Sequence, residues 1–331
     1  IPFMLWSQQA HNHNNLILLQ MKKLLTGLSL LLAGGAALFS SCREEEPVEP
    51  PKAGIFFSVA DKQVAFTALT KRADAFLWDF GDGETSTEQN PVHLYKEGGI
   101  YDVKLSVTGE GGNAEAVAEV SLALSDLQML TGGSRAVNGK KWRIKGTHSP
   151  KDALTLADDK FTVLAALSPG ILGSAGLGLP EVYEDEFIFK HDGSYIHSPR
   201  HGGAFAGLVY SMINKKTILK ATPMSQQYGL CYTAWTPEAG AKFTLTAKKD
   251  FTLEVTNYPS GSTAIERTYP NVMTLSFSGN EFIGFMDFTR EVIVQELTNE
   301  SMRLVLFMCA TQKAHYNKPS NAIILTFEAV K

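Results

Sequence analysis

Three consecutive acidic residues, Glu184, Asp185 and Glu186, are the stretch of this sequence best suited to acid–base chemistry. Retaining glycosidases use two carboxyl groups about 5–5.5 Å apart, one as the acid and one as the nucleophile. Side chains at positions i and i+2 of a strand share a face, so Glu184 and Glu186 could lie together. Such neighbours diverge outward and do not flank a bond. The pattern therefore favours a solvated strand start, and no catalytic residue is predicted.

Two aspartates, Asp79 and Asp82, stand close together in a glycine-containing stretch. Adjacent carboxylates suit a hard cation such as calcium. Aspartate also accepts hydrogen bonds from backbone amides two residues further on, which is how it stabilises a turn. The flanking glycines favour the turn, so no metal ligand is predicted here.

Histidines and cysteines offer two further possibilities. His191, His197 and His201 are close in sequence, and the last two have helical metal spacing. The Ser-Pro-Arg and Gly-Gly segments around them will not hold a helix, so metal binding is not expected. Cys231 and Cys309 could pair in an oxidising compartment. Each lies in an apolar stretch, which favours buried free thiols.

Aromatic residues in loops are the best candidates for ligand contact. Tyr228, Tyr232 and Trp235 cluster in a segment that also contains glycine, threonine and proline, and Tyr258 precedes a proline. The apolar face of a sugar ring packs on an exposed aromatic ring, while its hydroxyls need polar neighbours. The alternative for each ring is that it fills the core. We predict that Trp235, Tyr228 and Tyr232 form a sugar-stacking surface.

The composition excludes several classes of function. The 331 residues include 30 basic and 34 acidic ones, so the net charge is only −4 and nothing indicates a nucleic-acid partner. A hydrophobic fraction of 44% describes an ordinary globular protein. The glycine-rich segment 168–180 lacks the Gly-Lys-Ser/Thr ending of a phosphate-binding loop. No cofactor is predicted.

A segment that resembles a secretory leader precedes the predicted domains. Residues 1–20 match no targeting pattern, whereas Met21 opens a positively charged start that precedes an apolar run over residues 24–39. Two serines and Cys42 end the run. This arrangement is a secretory signal by its charged, apolar and small-residue regions, and it resembles a bacterial lipoprotein signal. The resemblance implies cleavage before Cys42, lipidation of that cysteine, and a true start at Met21. A plain signal peptide or a single membrane helix is the alternative, although the run is short for a span.

An acidic, proline-rich segment over residues 43–51 follows the cysteine. Its prolines and like charges predict a stiff, solvated tether. It also resembles the surface-export signal of outer-membrane lipoproteins in glycan-harvesting Gram-negative bacteria. Both readings stay open, because a spacer of this composition serves either purpose.

The first domain is indicated by alternating aromatics. Phe76, Trp78 and Phe80 fall on one face of a strand, a Gly-Asp-Gly turn follows at residues 81–83, and residues 101–108 alternate again. In order and spacing this stretch resembles the core of the polycystic kidney disease (PKD) domain, an immunoglobulin-like β-sandwich. The residues that carry the resemblance are Trp78, Asp79, Phe80, Gly81, Asp82, Gly83, Thr85, Asn90, Pro91, His93, Tyr95 and residues 99–103.

The remainder of the chain reads as short alternating strands joined by hairpin turns, for example residues 187–189 and 195–196 around Asp192-Gly193. This pattern predicts an antiparallel barrel or sandwich. The segments around Trp142, residues 183–195 and residues 282–298 are similar to the lipocalin-like or jelly-roll domain that accompanies PKD domains in surface glycan-binding lipoproteins.

The sequence thus predicts an all-β protein, in which a PKD β-sandwich precedes a larger antiparallel β domain of lipocalin-like barrel or jelly-roll type. The expected segments are a mis-extended start (1–20), a signal peptide (21–41), a tether (42–53), the PKD domain (54–124) and the C-terminal domain (125–331). The resemblances imply a non-catalytic lipoprotein at the surface of the outer membrane. Its partners would be a polysaccharide or oligosaccharide, the membrane through its lipid anchor, and an outer-membrane glycan transporter. A jelly-roll glycoside hydrolase and an adhesion protein without a sugar ligand are the alternatives.

Overall fold

The computed structural model describes residues 47–311 and 314–331. The predicted signal peptide, Cys42 and the first part of the tether lie outside the described residues. The chain divides into two units, Ile1–Val48 and Glu49–Lys331, and the fold below is that of the second. Within the described ranges, no helix has the length and apolarity needed to cross a membrane.

The first domain is a two-sheet sandwich of seven strands. One sheet has the order β1-β2-β5 and the other β4-β3-β6-β7, and all pairs are antiparallel. The strands are β1 (Ile55–Ala60), β2 (Gln63–Ala68), β3 (Ala75–Asp79), β4 (Thr85–Ser86), β5 (Val92–Leu94), β6 (Gly99–Gly109) and β7 (Gly112–Leu122).

Trp78 is the centre of this sandwich. It is fully buried between the sheets, where its ring lies 5.3 Å from that of Phe66. Its indole Nε1 donates a hydrogen bond to the carbonyl of Glu88 at 3.0 Å, and the Tyr95 hydroxyl donates one to the carbonyl of Phe80 at 3.0 Å. These bonds satisfy polar groups that burial would otherwise leave unpaired. The alternation read from the sequence therefore corresponds to the inner face of the sandwich.

The two aspartates of the first domain cap its turns. The Asp79 carboxylate accepts a hydrogen bond from the backbone N–H of Gly81 at 2.9 Å, and that of Asp82 accepts one from Glu84 at 3.0 Å. The second Asp82 oxygen lies 2.8 Å from Nε2 of His93. Burial alone would raise the pKa of Asp82, but these hydrogen bonds and the charge of His93 outweigh it, so the pKa lies below its ordinary value. The turn interpretation of both residues is confirmed.

A short helix joins the two domains. Helix α1 (Asp126–Thr131) begins with a capping box in which Ser125 and Gln128 exchange hydrogen bonds. The side chain of Gln128 also reaches back to the first domain, where it accepts from the N–H of Gly98 at 3.0 Å and donates to the Gly98 carbonyl at 3.0 Å. Trp142 Nε1 of the second domain donates a hydrogen bond to the Leu130 carbonyl of the helix at 2.8 Å, so the helix is tied to both domains.

The second domain is built on a large antiparallel sheet. Its path is β12-β11-β8-β20-β19-β18-β17-β16, and β9 and β10 extend it from β20. The strands are β8 (Lys140–Ile144), β9 (Ala153–Leu156), β10 (Val163–Ala166), β11 (Glu186–Phe189), β12 (Tyr195–Ser198), β16 (Phe243–Thr256), β17 (Ala264–Phe277), β18 (Val292–Leu297), β19 (Ser301–Met308) and β20 (Asn321–Val330).

Strand β20 lies at the centre of this sheet and is buried on both faces. Ile323, Leu325 and Phe327 belong to the main core. Ala322 and Ile324, which alternate with them, belong to a second cluster on the opposite face. Because successive side chains of a strand point to opposite faces, one strand supports two cores.

A small antiparallel sheet covers part of the main core. Its order is β13-β15-β14, with β13 (Gly203–Gly207), β14 (Ile218–Lys220) and β15 (Leu230–Ala234). Helices α2 (Leu208–Ile213) and α3 (Pro223–Gln227) join its strands. The all-β prediction is confirmed: a two-sheet β-sandwich precedes a larger antiparallel β domain.

Candidate ligand-binding cleft

An open cleft of about 370 Å³ lies beside the far end of the long β16–β17 hairpin. The segment after β9, the end of β16, the start of β17 and the residue before β20 form its walls. The side chains that bear on ligand contact are Asp158, Asn257, Tyr258, Ile265 and Arg267.

The turn that carries Tyr258 is held by its own hydrogen bonds. The Asn257 side chain accepts from the N–H of Thr263 at 3.1 Å, and the Asn257 carbonyl accepts from the N–H of Gly261 at 2.7 Å. Gly261 adopts φ +58° in a place where a Cβ atom would meet Thr311, so glycine is the residue that fits. The turn therefore presents Tyr258 from a defined backbone.

The rim of the cleft is apolar. Tyr258 is 49% exposed, and the neighbouring Ile265 is exposed to a similar extent. A half-exposed tyrosine offers a flat apolar ring with a hydroxyl at its edge.

Arg267 is the polar side chain of the cleft that could contact a ligand. Its Nε atom is buried and makes no hydrogen bond to any described residue. One terminal nitrogen lies 3.7 Å from Asp159 Oδ1, a long contact for an ion pair. A buried donor without a partner costs free energy, so a water molecule or a ligand hydroxyl is expected to satisfy it.

Asp158 borders the cleft, but its carboxylate is already engaged in hydrogen bonds within the chain. It accepts hydrogen bonds from the backbone N–H of Thr162 at 2.8 Å and from the Thr162 hydroxyl at 2.6 Å. Burial acts to raise the pKa of Asp158, yet these bonds, a bond from the N–H of Lys160 and the charge of Arg267 together lower it. A carboxylate held in this way is ionised and poorly suited to act as a general acid.

A stacked aromatic pair lies in the same core cluster as the cleft residues Ala157 and Val255. Phe161 stacks on Tyr269, with ring centres 5.1 Å apart and planes within 4° of parallel. The Tyr269 hydroxyl donates a hydrogen bond to the carbonyl of Ala157 at 2.9 Å. Burial raises the pKa of Tyr269, so it remains a neutral donor. The cleft therefore combines an apolar rim with a guanidinium whose Nε donor is unused by the described residues.

Two of the three predicted sugar-stacking residues lie elsewhere and are buried. Trp235 is only 9% exposed; its ring packs at 70° to that of Phe282, with centres 5.3 Å apart, and Lys216 Nζ lies 5.1 Å from its ring centre. Tyr232 is buried because β15 is the middle strand of the small sheet and faces the main core. The expectation that these two rings stand free in a polar loop is wrong.

Tyr228 is the exception. It directly follows α3 and is 44% exposed. The structure therefore does not bring Tyr228, Tyr232 and Trp235 together as one exposed platform.

The acidic run 184–186 is split between three environments. Glu184 ends a 3-10 turn and pairs with His201 at 2.9 Å. Glu186 begins β11 and pairs with Arg200 at 2.8 Å. Asp185 is buried, and burial raises its pKa to about 7. Glu184 and Glu186 do not share a strand face, because only Glu186 belongs to the strand.

The histidines and cysteines are likewise dispersed. His197 is buried 3.7 Å from Glu281, whereas His191 lies 3.5 Å from Glu97 of the first domain. Cys231 and Cys309 are buried free thiols, as predicted. Burial raises the pKa of both, and for Cys309 the neighbouring carboxylate of Asp287 raises it further.

Arg267 is not among the residues predicted from the sequence, whereas Tyr258 before a proline is. The turn signal in residues 257–263 could have marked the tip of a long hairpin. Nothing local could have shown that Arg267 lies beside the turn after β9.

Comparison with known proteins identifies the first domain. The family described as PKD domain matches residues 50–123. Collagenase ColQ1 of Bacillus cereus is 48% identical over 52 residues, and collagenase ColA of Bacillus cereus is 55% identical over 64 residues. These stretches are 16% and 18% of this chain, and the chain spans only 5% and 7% of the two collagenases.

Similar solved structures include two isolated domains. The PKD1 domain of Vibrio cholerae metalloprotease PrtV is 29% identical and that of Vibrio anguillarum Epp is 23% identical. Each match covers 23% of this chain and 98% of the solved one, with a TM-score of 0.22. A structure described in terms of promiscuous carbohydrate-binding modules of the β-sandwich superfamily covers 86% of this chain and 94% of its own, at 15% identity and a TM-score of 0.24.

Proposed function

We propose that this chain, in which residues 50–123 form a PKD domain, is a non-catalytic protein that binds polysaccharide through its C-terminal β domain. The observation that carries the proposal is the cleft in which a half-exposed Tyr258 accompanies Arg267, whose buried Nε has no partner among the described residues. The ring of Tyr258 stacks on the apolar face of a sugar, and Arg267 donates to its hydroxyls. The PKD domain acts as a spacer.

The chemistry of the carboxylates supports binding over hydrolysis. Hydrolysis needs two carboxyl groups facing each other across a bond. In the cleft, Asp158 is already engaged by hydrogen bonds from Thr162. Outside it, Glu184 is paired with His201 and Glu186 with Arg200.

The proposed location rests on the sequence. The mature chain starts at Cys42, is lipidated there, and faces outward from the outer membrane beside a glycan transporter. Labelling of cells with a tagged fatty acid checks the anchor: label should appear on the wild-type chain and be absent from Cys42→Ala. Equal labelling of both chains contradicts it.

Affinity gel electrophoresis on a panel of neutral polysaccharides tests the binding function. We expect retardation by at least one glycan, and a loss of affinity of about tenfold, equivalent to about 1.4 kcal/mol, in Tyr258→Ala or Arg267→Ala. Tyr228→Ala is the matched control, because it removes a tyrosine of similar exposure away from the cleft.

The outcomes separate the function from the site. Absence of binding across the panel contradicts the function. If Tyr228→Ala weakens binding and Tyr258→Ala does not, the binding site lies at Tyr228 and not in the cleft. Release of reducing sugar by the wild-type chain contradicts the non-catalytic assignment.

A further inference from the structure

The linker between the two domains is short, and both of its ends are engaged. Residues 123–125 alone separate β7 from helix α1. A Cβ atom on Gly98 would lie 1.9 Å from the carbonyl oxygen of Ala123, so only glycine lets the two segments pass this closely. At the other end, Ser125 caps helix α1 with its side chain. The linker is therefore packed against the first domain at its start and fixed in the helix cap at its end.

Helix α1 is fixed to the large sheet of the second domain. Leu130 of the helix is fully buried in the main core. The ammonium group of Lys140, on β8, donates a hydrogen bond to the helix carbonyl of Met129 at 2.8 Å. Trp142 of the same strand donates to the carbonyl of Leu130. The helix therefore moves with the second domain.

The side chain of Gln128 pairs with the backbone of the first domain. Its carboxamide accepts from the N–H of Gly98 and donates to the carbonyl of the same residue, as one residue of an antiparallel strand does with its partner. Gln128 is only 5% exposed, so water is largely excluded from this pair. A motion that separated the domains would leave both backbone groups of Gly98 without these partners, which costs free energy.

Glu97 makes a second set of contacts across the same boundary. Its carboxylate accepts a hydrogen bond from the N–H of Ser134 at 3.1 Å and lies 3.5 Å from Nε2 of His191, in the turn between β11 and β12. The Arg135 guanidinium lies 5.6 Å from the ring centre of Tyr101, on β6. Three segments of the second domain therefore contact the first: α1, residues 134–135 and the β11–β12 turn.

Domains within one chain ordinarily move relative to each other unless an extensive interface holds them. Here a short linker and paired polar contacts take the place of a large apolar interface. We propose that the two domains move as one rigid body, and that the carboxamide of Gln128 fixes the joint between them. The cleft beside Tyr258 then keeps a constant direction relative to the PKD domain. This inference does not depend on what the cleft binds.

Pulsed electron paramagnetic resonance on the full chain tests the proposal. Cys42→Ala is the reference chain, and spin labels are attached to Ser58→Cys in the first domain and Lys248→Cys in the second, both of which are exposed positions. Cys231 and Cys309 are buried, which shields their thiols from the label. We expect a single narrow distribution of distances between the two labels.

Three variants locate the joint. Gln128→Ala should broaden the distance distribution about twofold or more, because the domains then move as ordinary linked domains do. Glu97→Ala removes the contacts with Ser134 and His191 but leaves the pair between Gln128 and Gly98, so it should broaden the distribution less. Gln226→Ala is the matched control, since it removes an exposed glutamine from α3, outside the joint. Circular dichroism checks that each variant is folded.

Three results overturn the proposal. They are a broad or multiple distribution in the reference chain, a distribution that neither Gln128→Ala nor Glu97→Ala changes, and a broadening by Gln226→Ala as large as that by Gln128→Ala. If Gln128→Ala does not fold, an unchanged distribution in Glu97→Ala alone overturns it.

Discussion

Replacement of the buried Asp185 by asparagine should stabilise the protein in a pH-dependent way. Burial raises the pKa of Asp185 from 3.8 to about 7. Between these two pH values, the folded chain holds a proton that the unfolded chain has released. The resulting contribution to stability is fully present below pH 3.8 and is lost as the pH rises through 7.

The size of the effect follows from the pKa difference. At about 1.4 kcal/mol for each pH unit, the loss on going from pH 3.8 to above pH 7 is on the order of 4 kcal/mol. Asparagine has no charge to desolvate. In the wild type the backbone N–H of Arg200 donates a hydrogen bond to Asp185 Oδ1 at 3.1 Å, and the side-chain carbonyl of asparagine can accept the same bond. We therefore expect Asp185→Asn to be about 2–4 kcal/mol more stable than wild type at pH 8 and within about 1 kcal/mol of it at pH 4.

Urea unfolding at intervals from pH 4 to pH 8, followed by tryptophan fluorescence, measures this difference. Asp192→Asn is the control, because Asp192 is exposed and its pKa is lowered by hydrogen bonds from Ser194. The control should show no gain at high pH. An Asp185→Asn advantage that stays constant across the pH range would refute the reasoning, since it would mean that the native carboxyl does not titrate with a raised pKa.

Two further predictions concern buried polar groups. Tyr183→Phe should lower the free energy of unfolding by about 1–3 kcal/mol. The reason is that the Tyr183 hydroxyl lies 2.8 Å from Nε2 of the buried His148 and accepts a hydrogen bond from the N–H of Leu172 at 3.1 Å. Urea unfolding measures the loss, and an unchanged unfolding midpoint contradicts the prediction. In the Cys42→Ala chain, Cys231 and Cys309 should react with a thiol reagent at pH 8 only after urea unfolding, because burial raises both pKa values and blocks access. Rapid reaction of this variant in its native state contradicts the prediction.

Much of the first domain could be predicted from sequence, because its signals are local. The alternation of Phe76, Trp78 and Phe80 places three rings on one face of a strand whatever the strand packs against. Asp79 and Asp82 cap turns through hydrogen bonds that span two residues. In the second domain, Asp192-Gly193 joins β11 to β12 for the same reason.

The position of the candidate site could not be predicted in this way. Arg267 and Asp158 are far apart in sequence. β9 pairs with β20, whereas β16 and β17 pair with each other several strands away in the same sheet, and only the tertiary structure of that sheet brings the two residues to the same cleft. Their proximity depends on the order of strands in the sheet, which hairpin signals do not determine.

The solvent exposure of two aromatic side chains, Trp235 and Tyr232, was predicted wrongly from the sequence. Trp235 and Tyr232 stand among glycine, threonine and proline, which is a local pattern typical of a loop. The structure buries both: Tyr232 lies in β15, the middle strand of a small sheet that faces the main core, and Trp235, the residue after β15, packs against Phe282. Tyr258 has a similar local sequence and remains half exposed at the tip of a hairpin. Periodicity and turn residues determine which side chains share a face, whereas long-range packing decides whether that face is covered.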